Sequence, residues 1–169
     1  MQKKDAIFVV AFDNMTSIKK ITFQNKIILE LFPNVQKLLY SYRQIESCSF
    51  ESGGILIGYE NTRSRNFTVA NATRPQPSDV RSRLAVQLKS GHYMTMKKLD
   101  SPYGYIGTWH THPTQFPTPS DVDLADWKKC IQINCNTTSA LIFIIVGIEG
   151  FRVWLCDSTT GYIYEGIAL

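Results

Sequence analysis

The sequence predicts an α/β fold, a single domain in which helices flank a mixed β-sheet. Segments with strand periodicity alternate with segments of helical periodicity, and no linker or low-complexity stretch divides them. Residues 141–146 are entirely apolar, which favours a strand in the interior of the sheet. The chain has 169 residues, of which 44% are hydrophobic, and this is enough for one ordinary core.

The first half of the chain is predicted to be rich in strands. Pro33 suits the first turn of a helix that should end near Gln44. The core-facing stripe of this helix consists of Val35, Leu38, Leu39 and Tyr42. Strands are expected at about 6–12, 18–24, 27–31, 53–60 and 65–71.

The second half of the chain is predicted to contain two more helices, at 90–99 and 121–132. Leu84, Val86 and Leu88 occupy alternate positions, as in a half-buried strand. Further strands are expected at 106–112, 141–146, 151–156 and 162–164, with turns at Gly150 and 159–161. We expect residues 1–169 to form one domain, to which residues 1–19 can add a strand.

Composition points to a cytoplasmic protein. The apolar run 7–12 is too short for a membrane span and lacks a small-residue cleavage site, so we expect neither a membrane anchor nor a signal peptide. The cysteines are scattered without a C-x-x-C pair, which favours reduced thiols over a disulfide or a structural zinc site. They are Cys48, Cys130, Cys135 and Cys156.

A histidine pair and a following acid carry the strongest chemical signal. His110 and His112 are two residues apart, so in an extended segment both side chains lie on one face. Asp123 returns after a short loop and can supply a third ligand. Three nitrogen and oxygen ligands with one open position are typical of hydrolytic zinc, whereas structural zinc usually has four cysteine-rich ligands. The sequence therefore predicts one catalytic Zn²⁺ per chain.

The same acid has a second interpretation. Ser120 and Asp123 fit a capping box, in which Ser120 begins a helix and Asp123 closes its first turn. The two interpretations are compatible, because a carboxylate in the first turn of a helix can still face the histidine strand.

A zinc hydrolase also needs a proton carrier, and Glu51 is the candidate. It precedes an apolar run that starts at Ile55, which places it at the mouth of a buried strand. Gly53 and Gly54 would let another backbone approach closely, and we interpret them as substrate-binding residues beside which an extended tail can lie. The structural alternative for Glu51 is a solvated acid at a strand end.

Together these residues resemble the JAMM signature of MPN/JAB-domain zinc metallopeptidases. The matching pattern is Glu51-Ser52-Gly53-Gly54, then His110-x-His112, seven residues, Ser120, two residues and Asp123. The resemblance extends over roughly residues 20–169, and segments 105–113 and 119–124 are most similar to the prokaryotic JAB branch. It implies that His110, His112 and Asp123 bind zinc, that Glu51 is the general acid/base and that Ser120 helps to stabilise the oxyanion.

The resemblance also implies a deconjugating activity. Some prokaryotic members act beside ubiquitin-like conjugation enzymes in CBASS antiphage operons, where they remove a conjugated cyclic-oligonucleotide synthase from its targets. We therefore expect a zinc-dependent isopeptidase or peptidase that acts on a ubiquitin-like or C-terminally conjugated protein. Its expected partners include such a synthase and its conjugating enzyme. Relatives that cut polyubiquitin carry further histidine and cysteine downstream, and no histidine follows Asp123 here.

Two other functions remain open from the sequence. One is a JAMM hydrolase that acts on a small molecule or a carrier protein. The other is a non-catalytic MPN-like scaffold or a DNA-associated relative, although inert scaffolds usually lack members of the metal set. Nucleic acid is not an expected partner, because no DNA- or RNA-binding motif accompanies the basic residues.

Positive charge is concentrated between Asn61 and Lys98, where the only acid is Asp79. This segment can steer an acidic partner, or it can be an ordinary solvated face. Within it, Arg74–Ser78 is predicted to be a loop that either borders the cleft or forms an inert turn. Its cations are Arg63, Arg65, Arg74, Arg81, Arg83, Lys89, Lys97 and Lys98.

Overall fold

A computed structural model describes residues 8–99 and 101–169 and has the mixed α/β fold that the sequence predicts. Its helices are α1 (Pro33–Ser41), α2 (Gly91–Lys98) and α3 (Asp121–Asn134). Its strands are β1 (Val10–Ala11), β2 (Lys19–Thr22), β3 (Ile28–Leu31), β4 (Gly53–Glu60), β5 (Phe67–Ala72), β6 (Val80–Arg81), β7 (Val86–Gln87), β8 (Gly104–Thr111), β9 (Ala140–Val146), β10 (Gly150–Asp157), β11 (Ile163–Glu165) and β12 (Ile167–Ala168). Across the described ranges, no helix combines the length and the apolar character that a bilayer span requires.

The main sheet is mixed and places β4 and β8 side by side near its centre. Its order is β1-β10-β9-β8-β4-β5-β3-β2-β12, and β11 pairs with β10. Strands β8 and β9 are parallel, as are β3 and β5, while β4 and β8 are antiparallel. All seven residues of β9 are buried, which confirms the predicted interior strand.

Hydrophobic clusters cover both faces of the sheet. The larger one includes Leu56 and Trp109 and receives Val35 and Leu39 from α1, which confirms the predicted stripe. On the other face, Trp127 of α3 stacks on Phe143 with ring centroids 4.7 Å apart. Because successive side chains of a strand alternate, the residue after Trp109 points toward the α3 face.

Helix α1 ends at Ser41, three residues before the predicted end at Gln44. The Gln44 side chain is buried and bonds groups outside the helix: its amide donates to the carbonyls of Ser49 and Arg83, and its oxygen accepts from the Thr111 hydroxyl. These bonds require the chain to leave the helical path. Helical periodicity carries no information about such partners.

The predicted strand through Leu84, Val86 and Leu88 is wrong at Leu84. This residue is 74% exposed and lies in the turn of a small hairpin, in which β6 pairs with β7. The turn is closed by the Ser82 N–H, which donates to the Ala85 carbonyl at 2.8 Å. Strand β6 and the edge strand β12 were not predicted, because each is only two residues long.

The N-terminal strand is shorter than predicted. Of the expected 6–12, only Val10 and Ala11 pair, with Phe151 and Gly150 of β10. The first two residues of that prediction lie outside the described ranges. The other predicted helices and strands are confirmed within a few residues at their ends, and the Arg74–Ser78 segment is a loop. The predicted turn at Gly150 is wrong, because this residue begins β10 and pairs with Ala11.

Gly107 lets β8 lie against β9. Its φ of 147° is unfavourable for any residue with a side chain. A Cβ at this position would lie 1.7 Å from the carbonyl oxygen of Ile142 on β9. Glycine is therefore required in the strand that leads to the histidine pair.

Candidate metal centre

The end of β8 presents both histidines on the α3 face of the sheet. His112 follows the strand directly, and its N–H donates to the Val146 carbonyl at 2.9 Å, which continues the pairing with β9. Thr111 between them is fully buried on the opposite side and accepts from the Ser52 N–H at 2.9 Å. The alternation expected of an extended segment is thus confirmed at 110–112.

A capping box at the start of α3 fixes the third residue of the set. The Ser120 N–H donates to Asp123 Oδ2 at 2.6 Å, and the Asp123 N–H donates to Ser120 Oγ at 3.2 Å. The predicted box is confirmed. Its geometry leaves Asp123 Oδ1 facing His110.

Three side chains converge at this point. Nε2 of His110 lies 3.0 Å from Nε2 of His112 and 3.1 Å from Asp123 Oδ1. Nε2 of His112 lies 3.4 Å from Asp123 Oδ2. Ligands of a tetrahedral zinc ion at about 2.0–2.1 Å lie about 3.3 Å from one another. The donor set and its spacing therefore fit a zinc ion.

The charge state of Asp123 also suits a ligand. Burial by itself would raise the pKa of this carboxyl, but hydrogen bonds from His110 and His112, the charge of His110 and the Ser120 hydroxyl hold its pKa well below the usual range. Asp123 is consequently ionised at any pH at which the protein would work.

Glu51 lies beside this cluster and is only 4% exposed. Its Oε1 is 3.9 Å from Nε2 of His112. Burial raises the pKa of Glu51 to about 7, the nearby Asp123 charge adds to the rise, and His112 opposes it. The alternative of a solvated acid at a strand end is wrong for this residue.

The two glycines after Glu51 lie on opposite faces. Gly54 faces the large core, where a Cβ would lie 2.2 Å from the Thr73 carbonyl oxygen, so the predicted close approach of another backbone is confirmed. Gly53 pairs with His110 and shares its face. A Cβ at Gly53 would lie 3.2 Å from the side chains of Val86 and Leu88. Contact of either glycine with a substrate stays a prediction.

The Ser120 hydroxyl has a partner in this structure, since it donates to Asp123 Oδ2 at 2.7 Å. It thereby orients the carboxylate that faces the histidines. Stabilisation of an oxyanion requires the O–H to turn toward the substrate, and that role stays a prediction.

One residue of the site was not found by sequence reasoning. Arg81, counted above as one of many basic charges, is half-buried and donates from Nε to the Glu51 carbonyl at 2.5 Å and from Nη2 to Ser52 Oγ at 2.6 Å. The sequence offers no signal for this, because Arg81 lies thirty positions from Glu51 in a hairpin too short to predict.

The third histidine has a structural role. His92 is buried, its Nδ1 lies 2.6 Å from Thr73 Oγ1, and its Nε2 lies 3.0 Å from Asp79. The four cysteines are free thiols, of which Cys48 and Cys135 are exposed and Cys156 is buried.

Comparisons with known proteins identify the family of this chain. The family model described as prokaryotic homologs of the JAB domain matches residues 40–157. A protein of Escherichia coli named CD-NTase/cGAS isopeptidase is 30% identical over 160 residues, which cover 92% of this chain and 89% of that protein. A Vibrio cholerae protein of the same name is 29% identical over 76% of this chain and 80% of its own length. The solution structure of a Desulfitobacterium hafniense protein shares the fold, with a TM-score of 0.52 and 17% identity over 78% of this chain and 84% of that one.

Proposed function

Because the chain belongs to the family of prokaryotic homologs of the JAB domain, we propose that it is a zinc-dependent isopeptidase that removes a C-terminally conjugated protein from its target. One observation carries the proposal. The buried carboxyl of Glu51 lies 3.9 Å from a cluster of two imidazoles and one carboxylate spaced as zinc ligands. A metal site and an adjacent proton carrier are the two parts that metal-dependent amide hydrolysis needs.

His110, His112 and Asp123 are the residues that would hold the metal. A zinc ion there would act as a Lewis acid on the scissile carbonyl and lower the pKa of the attacking water. Imidazoles bind a metal in their neutral form, so with the ionised Asp123 the bound set would carry a single negative charge, which suits a divalent cation.

Glu51 would accept a proton from the attacking water and return it to the leaving amine. Its pKa of about 7 before metal binding suits both steps, because a base with a pKa near the working pH can also act as an acid. The Ser120 hydroxyl, which orients Asp123 in this structure, would turn to donate to the oxyanion.

The substrate of the proposal is a conjugated cyclic-oligonucleotide synthase of an antiphage system, since relatives covering most of this chain are named for a CD-NTase. Its C-terminal tail would lie extended on the α3 face of the sheet. Of the two glycines, Gly53 would be the nearer to that tail, because it shares the face of His110, whereas Gly54 faces the core.

A comparison of three substrates tests the function. The first is a CD-NTase joined through its C-terminus to a lysine of a carrier protein, the second is a linear fusion through the same residue, and the third is the free tail peptide. The zinc-loaded protein should release the intact synthase from the first substrate fastest, as measured by intact-mass spectrometry. The Glu51→Gln variant is the control. Failure to cleave the conjugate with zinc bound, or preference for the free peptide, would contradict the proposal.

A further inference from the structure

We propose that Arg81 is a positioning residue that holds the backbone of Glu51, so that its carboxyl stays beside the histidine pair. The inference rests on the proposed role of Glu51 as the proton carrier. It goes further in that it assigns a function to a residue of the β6–β7 hairpin.

The backbone of Glu51 depends on that hairpin. Glu51 and Ser52 precede β4, which begins at Gly53, and the backbone of Glu51 is bonded to the hairpin. The Glu51 N–H donates to the Ser82 carbonyl at 2.7 Å, and the Glu51 carbonyl accepts from Arg81 Nε at 2.5 Å. Both backbone polar groups of Glu51 are thus satisfied by two consecutive residues of the hairpin.

The shape of the guanidinium allows it to hold three consecutive residues. Nη2 of Arg81 donates to Ser52 Oγ at 2.6 Å and makes a longer contact of 3.4 Å with the Phe50 carbonyl. An arginine presents five N–H groups in one plane, whereas a lysine ammonium is a compact point charge on a flexible stem. Lysine at this position could replace the charge but not the whole set of bonds.

The opposite side of the same segment is held by the histidine strand. The Ser52 N–H donates to Thr111 Oγ1 at 2.9 Å, and the Ser52 carbonyl accepts from the Thr111 N–H at 2.9 Å. Thr111 lies between His110 and His112. Segment 50–52 is therefore clamped between Thr111 and Arg81, and loss of either contact would let the Glu51 carboxyl move relative to His112.

The part of the chain that carries Arg81 is itself fixed to the sheet. The buried Asp79 carboxylate accepts from the N–H groups of Gln76 at 2.7 Å and Lys89 at 3.1 Å, which lie on either side of the hairpin. His92 joins Asp79 to Thr73 at the end of β5. Arg81 consequently projects from an anchored hairpin, as a positioning residue must.

Removal of Arg81 should loosen segment 50–52 without loss of the metal. A buried carbonyl that loses its donor is destabilised, so this short segment would open more often. Hydrogen exchange of the peptide over residues 49–56 should accelerate by at least about tenfold in Arg81→Ala. This corresponds to a loss of about 1.4 kcal/mol in the free energy of opening, which lies within the usual cost of an unpaired buried carbonyl. Zinc content should stay at the wild-type value. Arg83→Ala is the matched control, because Arg83 is an exposed arginine of the same hairpin.

Kinetics on the conjugate provide the second readout. A misplaced proton carrier should lower kcat by about 10–100-fold while KM changes little. Arg81→Lys should recover part of the loss. In the Glu51→Gln background, Arg81→Ala should have no further effect, because both changes act on the same step.

The two arms separate this proposal from the proposed function. If the wild type cleaves no conjugate but exchange of residues 49–56 responds to Arg81→Ala and not to Arg83→Ala, the clamp is supported and the function is not. Unchanged exchange in Arg81→Ala, or losses from Arg81→Ala and Glu51→Gln that multiply, would overturn the clamp. If Arg81→Ala does not fold, the same comparisons apply to Arg81→Lys.

Discussion

Gly53 and His110 are directly paired across the antiparallel β4–β8 ladder. Two residues before Gly53 and two residues after His110, the same antiparallel register brings Glu51 opposite His112, and the bonds between Ser52 and Thr111 continue it. Side chains opposed in this way share a face of the sheet. Strand pairing and the hairpin bonds to the Glu51 backbone together hold the acid beside the histidine pair.

The first prediction concerns the metal. The purified protein should contain about one zinc per chain, and His110→Ala or Asp123→Asn should lose it after brief dialysis against a mild chelator. Elemental analysis measures the content. Asp121→Asn is the control, because Asp121 is an exposed acid in the same helical turn. Full zinc in either ligand variant would show that the assignment is wrong.

The second prediction separates catalysis from metal binding. Glu51→Gln should keep zinc and the fold but lower kcat at least about 10²-fold, because an amide cannot accept the proton of the attacking water. Glu46→Gln, at an exposed acid nearby, should leave turnover unchanged. Near-normal turnover in a zinc-loaded Glu51→Gln protein would exclude Glu51 as the proton carrier.

The third prediction concerns pH and the metal-free protein. Burial raises the pKa of Glu51 from 4.5 to about 7 in the folded state, so the folded protein holds this proton more tightly than the unfolded chain does. The protonated Glu51 therefore adds to the free energy of unfolding in full below pH 4.5, and this stabilisation is lost as the pH rises through 7. Between these values the free energy of unfolding of Glu51→Gln should rise by about 1–3 kcal/mol relative to wild type. Urea titrations with chelator measure it, and parallel pH curves would contradict it.

The fourth prediction concerns the basic segment. Arg81 is engaged with Glu51 and Arg65 is paired with Glu60, so these two are not available for steering. Charge reversal at three exposed cations should lower kcat/KM on the conjugate but not on the free peptide, and salt should mimic it, because exposed charges are screened beyond about 8 Å. These cations are Arg83, Lys97 and Lys98.

The matched control for that variant reverses the same number of charges outside the segment, at Lys26, Lys37 and Lys128. If both triple variants lower cleavage equally, the effect comes from net charge alone. If neither changes it, the segment is a solvated face.

The fifth prediction concerns thiol reactivity. Cys156 is buried, and burial raises the pKa of its thiol to about 12. The thiolate is the reactive form, so Cys156 should resist alkylation at pH 8 until the protein unfolds. The exposed Cys48 and Cys135 should react in the native state, which serves as the internal control. Peptide mapping that finds Cys156 modified as fast as Cys48 would contradict the burial.

The sequence was sufficient for the elements whose signals are local. The pattern of apolar residues predicted β9 and α3, and the capping box predicted the start of α3 at the residue where it begins. The spacing of His110 and His112 sufficed for their common face, because an extended backbone has a period of two.

The sequence was insufficient for features that depend on a contact with a residue far away in the chain. The end of α1 depends on the buried bonds of Gln44, and the role of Arg81 depends on a hairpin of two-residue strands. The burial of Glu51 could not be predicted either, since a carboxyl at a strand end is usually solvated and the bond of its backbone to Ser82 joins residues far apart in the sequence.

The capping box has a practical consequence for spectroscopy. The backbone N–H and the hydroxyl of Ser120 both donate to Asp123 and hold its carboxylate so that it faces His110. A site prepared in this way loses little conformational freedom when it is filled. A chelated sample should therefore take up Co²⁺ without refolding, since imidazole and carboxylate donors also accept that ion. The visible absorption spectrum of the bound Co²⁺ would then show how many ligands the ion has in this site.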